Sequence, residues 1–195
     1  MGHVFIGRLR FGKGKPKRVA VKIFKHELTD EMAAQYQQAI RKLSEAGVRL
    51  PKMAMYKHPE HGWVQVSQLF HSKGASKIVE KSWFWIENQA ARREAIDQLA
   101  RVANAGYFPA LDLVEPFTDN KKGIIPFDLD YVVSGHKKYE KGDGGNTEIL
   151  VKAINELGKT SEEKRDLLQI ALTIAPRLTT HIQKHALKHK WYNAG

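Results

Sequence analysis

The sequence predicts an α+β fold, and three of its features support this prediction. Segments with alternating apolar residues occur as adjacent pairs separated by turns rich in glycine, proline and charged residues, which is typical of antiparallel hairpins. A segment with helical periodicity separates two such pairs, and the second half of the chain is mainly helical in pattern. This mixed order argues against a doubly wound parallel sheet, in which strands and helices alternate.

The first two strands are predicted on either side of a basic connector. Residues 3–11 alternate apolar with polar or small side chains, and residues 18–25 are rich in β-branched side chains. Residues 12–17 combine glycine, proline and lysine, which favour a turn. We therefore expect the two strands to pair as a hairpin.

A helix is predicted after the second strand. Thr29 is suited to the N-cap position, and Asp30 and Glu31 supply negative charge to the first turn. Apolar residues then recur at steps of four, four and three, as on one face of a helix. Gly47 is suited to the C-cap, and Pro51 prevents the helix from continuing.

A second pair of strands and a longer helix are predicted next. Residues 52–56 and 63–70 alternate around a turn at residues 58–62. The pattern of residues 76–106 predicts a helix, because apolar side chains recur on one face. Short strands are expected afterwards, over residues 110–114 and 123–127.

The last part of the chain is predicted to be helical. Residues 135–145 are rich in glycine and lysine and are interpreted as a mobile loop. Helices are expected over residues 147–157 and 161–190. Pro176 should kink or divide the second of these, because proline removes a backbone donor.

Composition narrows the class of protein. The 32 Lys and Arg residues against 21 Asp and Glu give a net charge of +11, which favours polyanionic partners such as nucleic acid, nucleotide phosphates or acidic membrane surfaces. A merely solubilising surface is the alternative interpretation. The absence of cysteine excludes disulfides, thiolate zinc sites and cysteine nucleophiles. We expect a cytoplasmic protein without export or membrane spanning, because no signal-like segment and no run of about 18 apolar residues occurs.

The motif Val-Ala-Val-Lys, which ends at Lys22, resembles the Val-Ala-Ile-Lys strand of protein kinases. Residues 43–52 are similar to the helix-to-strand passage of atypical kinases such as the RIO family. The resemblance implies a protein-kinase-like two-lobe fold. Residues 1–70 would form a small antiparallel-sheet N-lobe with one helix, and residues 71–195 a reduced, mainly helical C-lobe.

The same resemblance implies a nucleotide site and its cofactors, ATP and Mg²⁺. Lys22 would contact the phosphates of ATP, and Gly2, Val4 and Ala20 would line the site. The implied activity is transfer of phosphate to a hydroxyl group of a protein or small molecule.

The resemblance extends to acidic residues of the second half. Asp112 stands in the place of the catalytic aspartate, which orients the acceptor hydroxyl. Asp128 matches the aspartate that binds magnesium, and Asp130 would share the metal. Asn120 or Asp119 is the candidate replacement for the metal-binding asparagine of the family.

The sequence departs from the kinase pattern at several positions. It begins at what would be the last glycine of a Gly-rich loop, and the helix has glutamines and Tyr36 where the family has a glutamate partner for the lysine. Ala110 and Leu111 replace the histidine and arginine that precede the catalytic aspartate. The alternative hypothesis is therefore a catalytically inactive relative that binds nucleic acid or a protein partner through its basic surface.

Individual residues are also open to structural interpretations. Lys22 is interpretable as a solvent-facing strand residue, and Asp112 as a turn cap. The aromatic residues favour core packing over base stacking; they are Trp63, Trp83, Phe84 and Trp85.

The sequence contains two groups of basic residues, one in the last predicted helix and one in the first hairpin. His181, His185 and His189 recur at intervals of four, but the interleaved lysines favour a basic, solvated face over a metal site. Together with the basic residues of the first hairpin, this face suits salt-sensitive contact with a phosphate backbone, without base selectivity. The hairpin residues are Arg8, Arg10, Lys13, Lys15, Lys17 and Arg18.

Overall fold

The fold is α+β, as the sequence predicts. The computed structural model describes residues 2–10, 13, 15–68, 88–109, 114–116, 124–126, 129, 133 and 141–193. These residues form a four-stranded antiparallel sheet with one helix inserted, a small two-stranded sheet and a group of helices.

The four-stranded sheet contains both predicted hairpins. Its strands are β1 (Gly2–Leu9), β2 (Lys17–Phe24), β3 (Met53–His58) and β4 (Gly62–Gln68), in the spatial order β1-β2-β4-β3. The hairpins join because β2 pairs with β4, and every pairing is antiparallel. Helix α1 (Asp30–Glu45) lies between β2 and β3 in sequence.

The ends of α1 confirm the predicted caps. The Thr29 hydroxyl oxygen accepts a hydrogen bond of 3.2 Å from the Met32 N–H, which satisfies one of the free donors of the first turn. At the other end Gly47 has φ 75°, a conformation that glycine adopts without steric cost. The N–H of Val48 then returns to the Leu43 carbonyl at 2.9 Å and closes the helix.

Helix α2 (Gln89–Asn104) begins later than its periodicity predicts. Asn88 has extended backbone, and its side-chain oxygen accepts a hydrogen bond of 2.8 Å from the Ala90 N–H. This side chain caps a helix start, so the prediction of one uninterrupted helix over residues 76–106 is wrong at this point. The predicted residues 76–87 lie outside the described part of the chain.

The predicted short strands form a two-stranded sheet. They are β5 (Val114–Pro116) and β6 (Ile124–Pro126), which pair antiparallel with Val114 opposite Pro126. Strand β6 lies within its predicted range, whereas β5 begins at the last residue of its predicted range. Both strands contact α2.

Four helices follow, namely α3 (Asp143–Leu157), α4 (Ser161–Ile174), α5 (Thr179–Ala186) and the single turn α6 (Lys190–Asn193). Helix α3 starts inside the predicted loop over residues 135–145. It starts there because backbone bonding begins at the Gly142 carbonyl, and the Thr147 hydroxyl donates to carbonyls of the first turn.

Pro176 divides the last predicted helix, as expected. Ala175 leaves the helical conformation with φ −119° and ψ 60°, and residues Pro176–Leu178 form one 3₁₀ turn before α5 begins. Proline is accommodated here because a helix start leaves the first N–H groups without intrahelical partners.

The main core joins the two halves of the chain. Side chains of α1 and of all the later helices belong to one buried cluster, which also includes Leu129. Hydrogen bonds reinforce the contact, since Gln98 accepts from the Arg49 N–H at 2.8 Å and Arg101 donates to the Ala46 carbonyl at 3.3 Å. The passage after α1 is thereby held on α2. A smaller cluster lies on the other face of the sheet and consists of Val19, Val64 and Val66.

Candidate functional site

Lys22 lies on the face of the sheet that carries α1. In β2 it stands opposite Val4 of β1 and Gln65 of β4. Alternate residues of a strand share a face, so Lys22 and Phe24 point the same way. The Phe24 ring contacts the Tyr36 ring of α1 edge-on, with the centroids 5.3 Å apart. Lys22 therefore projects on the side where sheet and helix meet.

The Lys22 ammonium lies beside an aromatic ring. Its Nζ is 5.7 Å from the centroid of the Phe24 ring, within the range of a cation–π contact. The Lys22 side chain is half-buried, so it is not a purely solvent-facing strand residue. The buried Tyr36 of α1 contacts Phe24 of this strand, while Glu31 and Glu45 lie at the two ends of α1.

Gln65 places an unsatisfied carbonyl next to Lys22. The side chain is only 5% exposed, and its Oε1 has no hydrogen-bond partner within the described part of the chain. Its Nε2 donates weakly to the Met53 sulfur at 3.6 Å. A buried polar atom without a partner costs about 1–3 kcal/mol, and a ligand could bond to this oxygen only after a side-chain movement exposed it.

An exposed apolar strip adjoins Lys22 on the same face. Val4 is 65% exposed and Ile6 is 60% exposed, and the half-buried Ala20 stands opposite Ile6. We call Val4, Ile6, Ala20, Lys22 and Gln65 the Lys22 surface. It combines aliphatic groups, one cation and one buried acceptor.

Gly2 has a steric explanation within the sheet. It pairs with Phe24, and a Cβ at this position would lie 2.1 Å from the Ile23 carbonyl oxygen. Only glycine fits so close to the neighbouring strand. Its presence is thus accounted for by strand pairing, whether or not a ligand approaches.

The predicted acidic site residues lie outside the described part of the chain; they are Asp112, Asn120, Asp128 and Asp130. Some residues near them in the sequence are described. Val114 and Pro126 face each other across β5 and β6. Leu129 is fully buried in the main core, and its carbonyl accepts a hydrogen bond of 3.0 Å from the Val133 N–H.

The first hairpin concentrates positive charge at one end. Arg8 stands opposite Arg18, and Lys17 lies opposite Leu9 beside them. The basic residues of this end are all exposed. We call them the hairpin tip; they are Arg8, Arg10, Lys13, Lys15, Lys17 and Arg18.

The histidines of the last helices lie in a positively charged setting, as predicted. Burial lowers the pKa of His185, and the charges of Lys188, Lys184 and His181 lower it further, against an opposing effect of Glu148. Burial is the largest cause of the lowered pKa, and the neighbouring cations add to it, so added positive charge is disfavoured here. The observation favours the basic, solvated face over a metal site.

Sequence reasoning missed a second histidine group, in the β3–β4 turn. His58, Glu60 and His61 bring potential metal-ligand atoms within 4.8 Å of one another. The sequence has histidine, proline, glutamate and histidine in succession, a pattern that indicates a turn without indicating a metal site. Spacing alone does not show that a hairpin folds these side chains together.

Comparisons with known proteins do not identify a family. No protein-family model matches the sequence, and no curated protein matches it significantly. Among the described helices, none is both long enough and apolar enough to cross a membrane.

Proposed function

We propose that this chain is a kinase-like protein that binds ATP with Mg²⁺ at the Lys22 surface and transfers phosphate to a hydroxyl group of a protein or small molecule. The observation that carries the proposal is the position of Lys22 on the α1 face of β2, between exposed Val4 and the unsatisfied Gln65 carbonyl. A cation next to an apolar strip suits a ligand with a flat ring and an anionic tail.

The groups at this surface fit the chemistry of a nucleotide. Val4 and Ala20 offer apolar contact to a purine ring, and the Lys22 ammonium suits phosphate oxygens. The Gln65 Oε1 would accept from a base amine or a ribose hydroxyl once a side-chain movement opened this buried atom to the ligand. A ligand that satisfies this oxygen would remove the cost of leaving it buried and unpaired.

The aspartate roles follow from the resemblance. Asp128 and Asp130 would hold Mg²⁺, and Asp112 would orient the acceptor hydroxyl. When bound, the magnesium ion would supply positive charge to phosphate oxygens.

The element order supports the two-lobe fold that the proposal requires. A small antiparallel sheet with one helix precedes a mainly helical half, and β4 ends just before residues 69–87, where the boundary is predicted. The hydrogen bonds of Gln98 and Arg101 to the passage after α1 attach one half to the other.

Thermal unfolding with and without nucleotide tests the proposal. We expect ATP with Mg²⁺ to raise the melting temperature, because a ligand that binds only the folded chain stabilises it by about 2.7 kcal/mol at a hundred times its Kd. Lys22→Ala and Asp128→Ala should abolish the increase. Lys25→Ala is the matched control, since Lys25 is an exposed lysine one residue beyond β2.

A second candidate function rests on the hairpin tip. Its exposed cations, with Arg8 opposite Arg18, favour a polyanion such as nucleic acid, and the glutamines and Tyr36 at the helix position where kinases have a glutamate are compatible with an inactive kinase relative. In that case single-stranded nucleic acid should bind with an affinity that falls steeply with salt. Arg18→Ala should then weaken binding, while Lys22→Ala and ATP should have no effect.

A further inference from the structure

The turn between β3 and β4 groups three side chains that commonly bind transition metals. His58 ends β3, and Glu60 and His61 belong to the turn that leads to β4. One ligand atom from each side chain lies within 4.8 Å of the others. We propose that His58, Glu60 and His61 form a binding site for Zn²⁺ or a similar transition ion, independent of the Lys22 surface.

The backbone of the hairpin brings the three ligands together before any metal binds. His58 pairs with Gly62 across the start of the turn, so only residues 59–61 separate the paired positions. Gly62 has φ 63°, which suits glycine and allows the chain to reverse tightly. Since the turn is already closed by strand pairing, metal binding costs little additional backbone entropy.

The two imidazoles lie close together, but a metal ion lies in the plane of each ring that binds it, so the exposed His61 ring must rotate out of the stack to share an ion with His58. Their rings are stacked with centroids 4.8 Å apart and planes inclined by 19°. The His58 Nδ1 accepts a long hydrogen bond of 3.2 Å from the Glu60 N–H, so this nitrogen has its lone pair directed into the turn. A metal ion at Nδ1 would replace that bond, and the exposed N–H would bond to water.

The electrostatic environment favours a cation. Glu60 contributes one carboxylate, and Glu27 Oε1 lies 2.9 Å from where a Cβ of Gly62 would be, so a second carboxylate borders the turn. The neighbouring Lys57 is directed to Asp30, at 2.9 Å. Its positive charge is therefore partly neutralised.

The ligand set selects a class of ion. Two imidazoles and one carboxylate form a three-ligand zinc site that leaves a fourth position for water, whereas magnesium prefers oxygen ligands alone. Ligand atoms of tetrahedral Zn²⁺ are about 3.3 Å apart, given Zn–N bonds near 2.05 Å. Rotation of the exposed Glu60 and His61 side chains can shorten the distances between the ligand atoms, which lie within 4.8 Å of one another, to this value.

Calorimetric titration of the metal-free, untagged chain with ZnCl₂ tests this site. We expect one Zn²⁺ per chain, and a loss of affinity greater than about tenfold in His58→Ala and in His61→Ala, because even outer-shell changes weaken zinc sites by 10–100-fold. Circular dichroism should show that both variants remain folded. Excess Mg²⁺ should not displace the zinc.

The matched control is His181→Ala, which removes an exposed histidine from α5. It should bind Zn²⁺ like the unchanged chain. Co²⁺ provides an independent readout, since the unchanged chain and His181→Ala should show visible absorption of a bound ion that His58→Ala lacks. Absence of zinc binding, equal affinity in His58→Ala, or loss of binding in His181→Ala would overturn the assignment.

Discussion

Arg92 and Glu163 form an ion pair between α2 and α4, with side chains only 7% and 8% exposed. The Arg92 Nε donates to the Glu163 carboxylate at 2.7 Å, and the Lys159 N–H donates to its other oxygen at 2.9 Å. Burial alone would raise the pKa of Glu163. These hydrogen bonds and the charge of Arg92 instead bring that pKa below its ordinary value, so the carboxylate stays charged.

We predict that Glu163→Gln and Arg92→Met each lower the free energy of unfolding by about 3–5 kcal/mol, because each removes one charge next to another that stays buried. The double variant should lose less than the sum of the single losses. Chemical denaturation of the four proteins measures this difference. Additive losses would show that the two side chains do not stabilise each other.

The neighbouring pair on the same two helices is the control for burial. Arg93 and Asp166 are joined at 2.8 Å but are 49% and 35% exposed. Exposed pairs are worth about 0–1 kcal/mol, since water and salt screen them. Asp166→Asn should therefore change the unfolding midpoint far less than Glu163→Gln.

We predict that the stability of the chain depends on pH through Asp30, which lies at the start of α1. Hydrogen bonds from Lys57 and from the Trp63 indole, together with the charge of Lys57, lower the pKa of Asp30. A lowered pKa in the folded chain means that the stabilisation is present above the ordinary value and is lost as pH falls through the lowered one. Asp30→Asn should thus lower the melting temperature at pH 7, and the difference should shrink below about pH 4.

The Trp63 indole N–H gives a local check of this bond. Its NMR chemical shift should move in acid with protonation of Asp30, and Asp30→Asn should remove that titration. Glu31→Gln changes the adjacent acid of the first turn and should leave the titration in place. A Trp63 signal that titrates identically in all three proteins would contradict the role of Asp30.

Gln65 offers a way to separate stability from ligand binding. Replacing it with methionine keeps the length of the side chain but removes the buried oxygen that has no partner within the described residues. We predict unchanged stability or a gain of up to about 1–2 kcal/mol without ligand, because an unsatisfied polar group costs free energy. The stabilisation by ATP should fall in the same variant.

The combination of the two measurements is decisive for this residue. Stability is measured by chemical denaturation and nucleotide binding by the thermal shift. If the Gln65→Met variant is less stable but keeps the full response to ATP, the Gln65 amide is a structural group and not a ligand contact.

Elements with local signals were predictable from the sequence. Thr29 and Gly47 mark the ends of α1 because a cap depends on a few neighbouring residues, and the same holds for the division at Pro176. The predicted start of α2 is wrong because the apolar periodicity continues on both sides of Asn88, which is the N-cap.

The candidate sites depend on pairing between distant segments, which periodicity does not specify. The register of β2 with β4 places Gln65 opposite Lys22, across more than forty residues of sequence. The His58 cluster depends on the tight closure of its hairpin. The roles of Asp112 and Asp128 remain predictions, since both lie outside the described residues.

The Arg177 side chain connects its own 3₁₀ turn to the end of α2 and to the start of α3. Its guanidinium donates to the Asn104 and Ala103 carbonyls, at 2.7 and 2.9 Å, and to Asp143 at 2.7 Å. It thus bonds to carbonyls at the end of α2, of which that of Ala103 also accepts from the Gly106 N–H, and to the acid in the first turn of α3. Lysine has a single ammonium and cannot make these bonds in the same planar arrangement.

We predict that Arg177→Ala lowers the free energy of unfolding by about 1–3 kcal/mol, since hydrogen bonds to charged groups are worth this much and the side chain is partly exposed. Arg177→Lys should recover less than half of the loss. The control is Arg41→Ala, whose pair with Glu45 is long and exposed, and which should change stability by less than about 0.5 kcal/mol. If Arg177→Lys is as stable as the unchanged chain in chemical denaturation, charge alone accounts for the effect and the three-way arrangement does not matter.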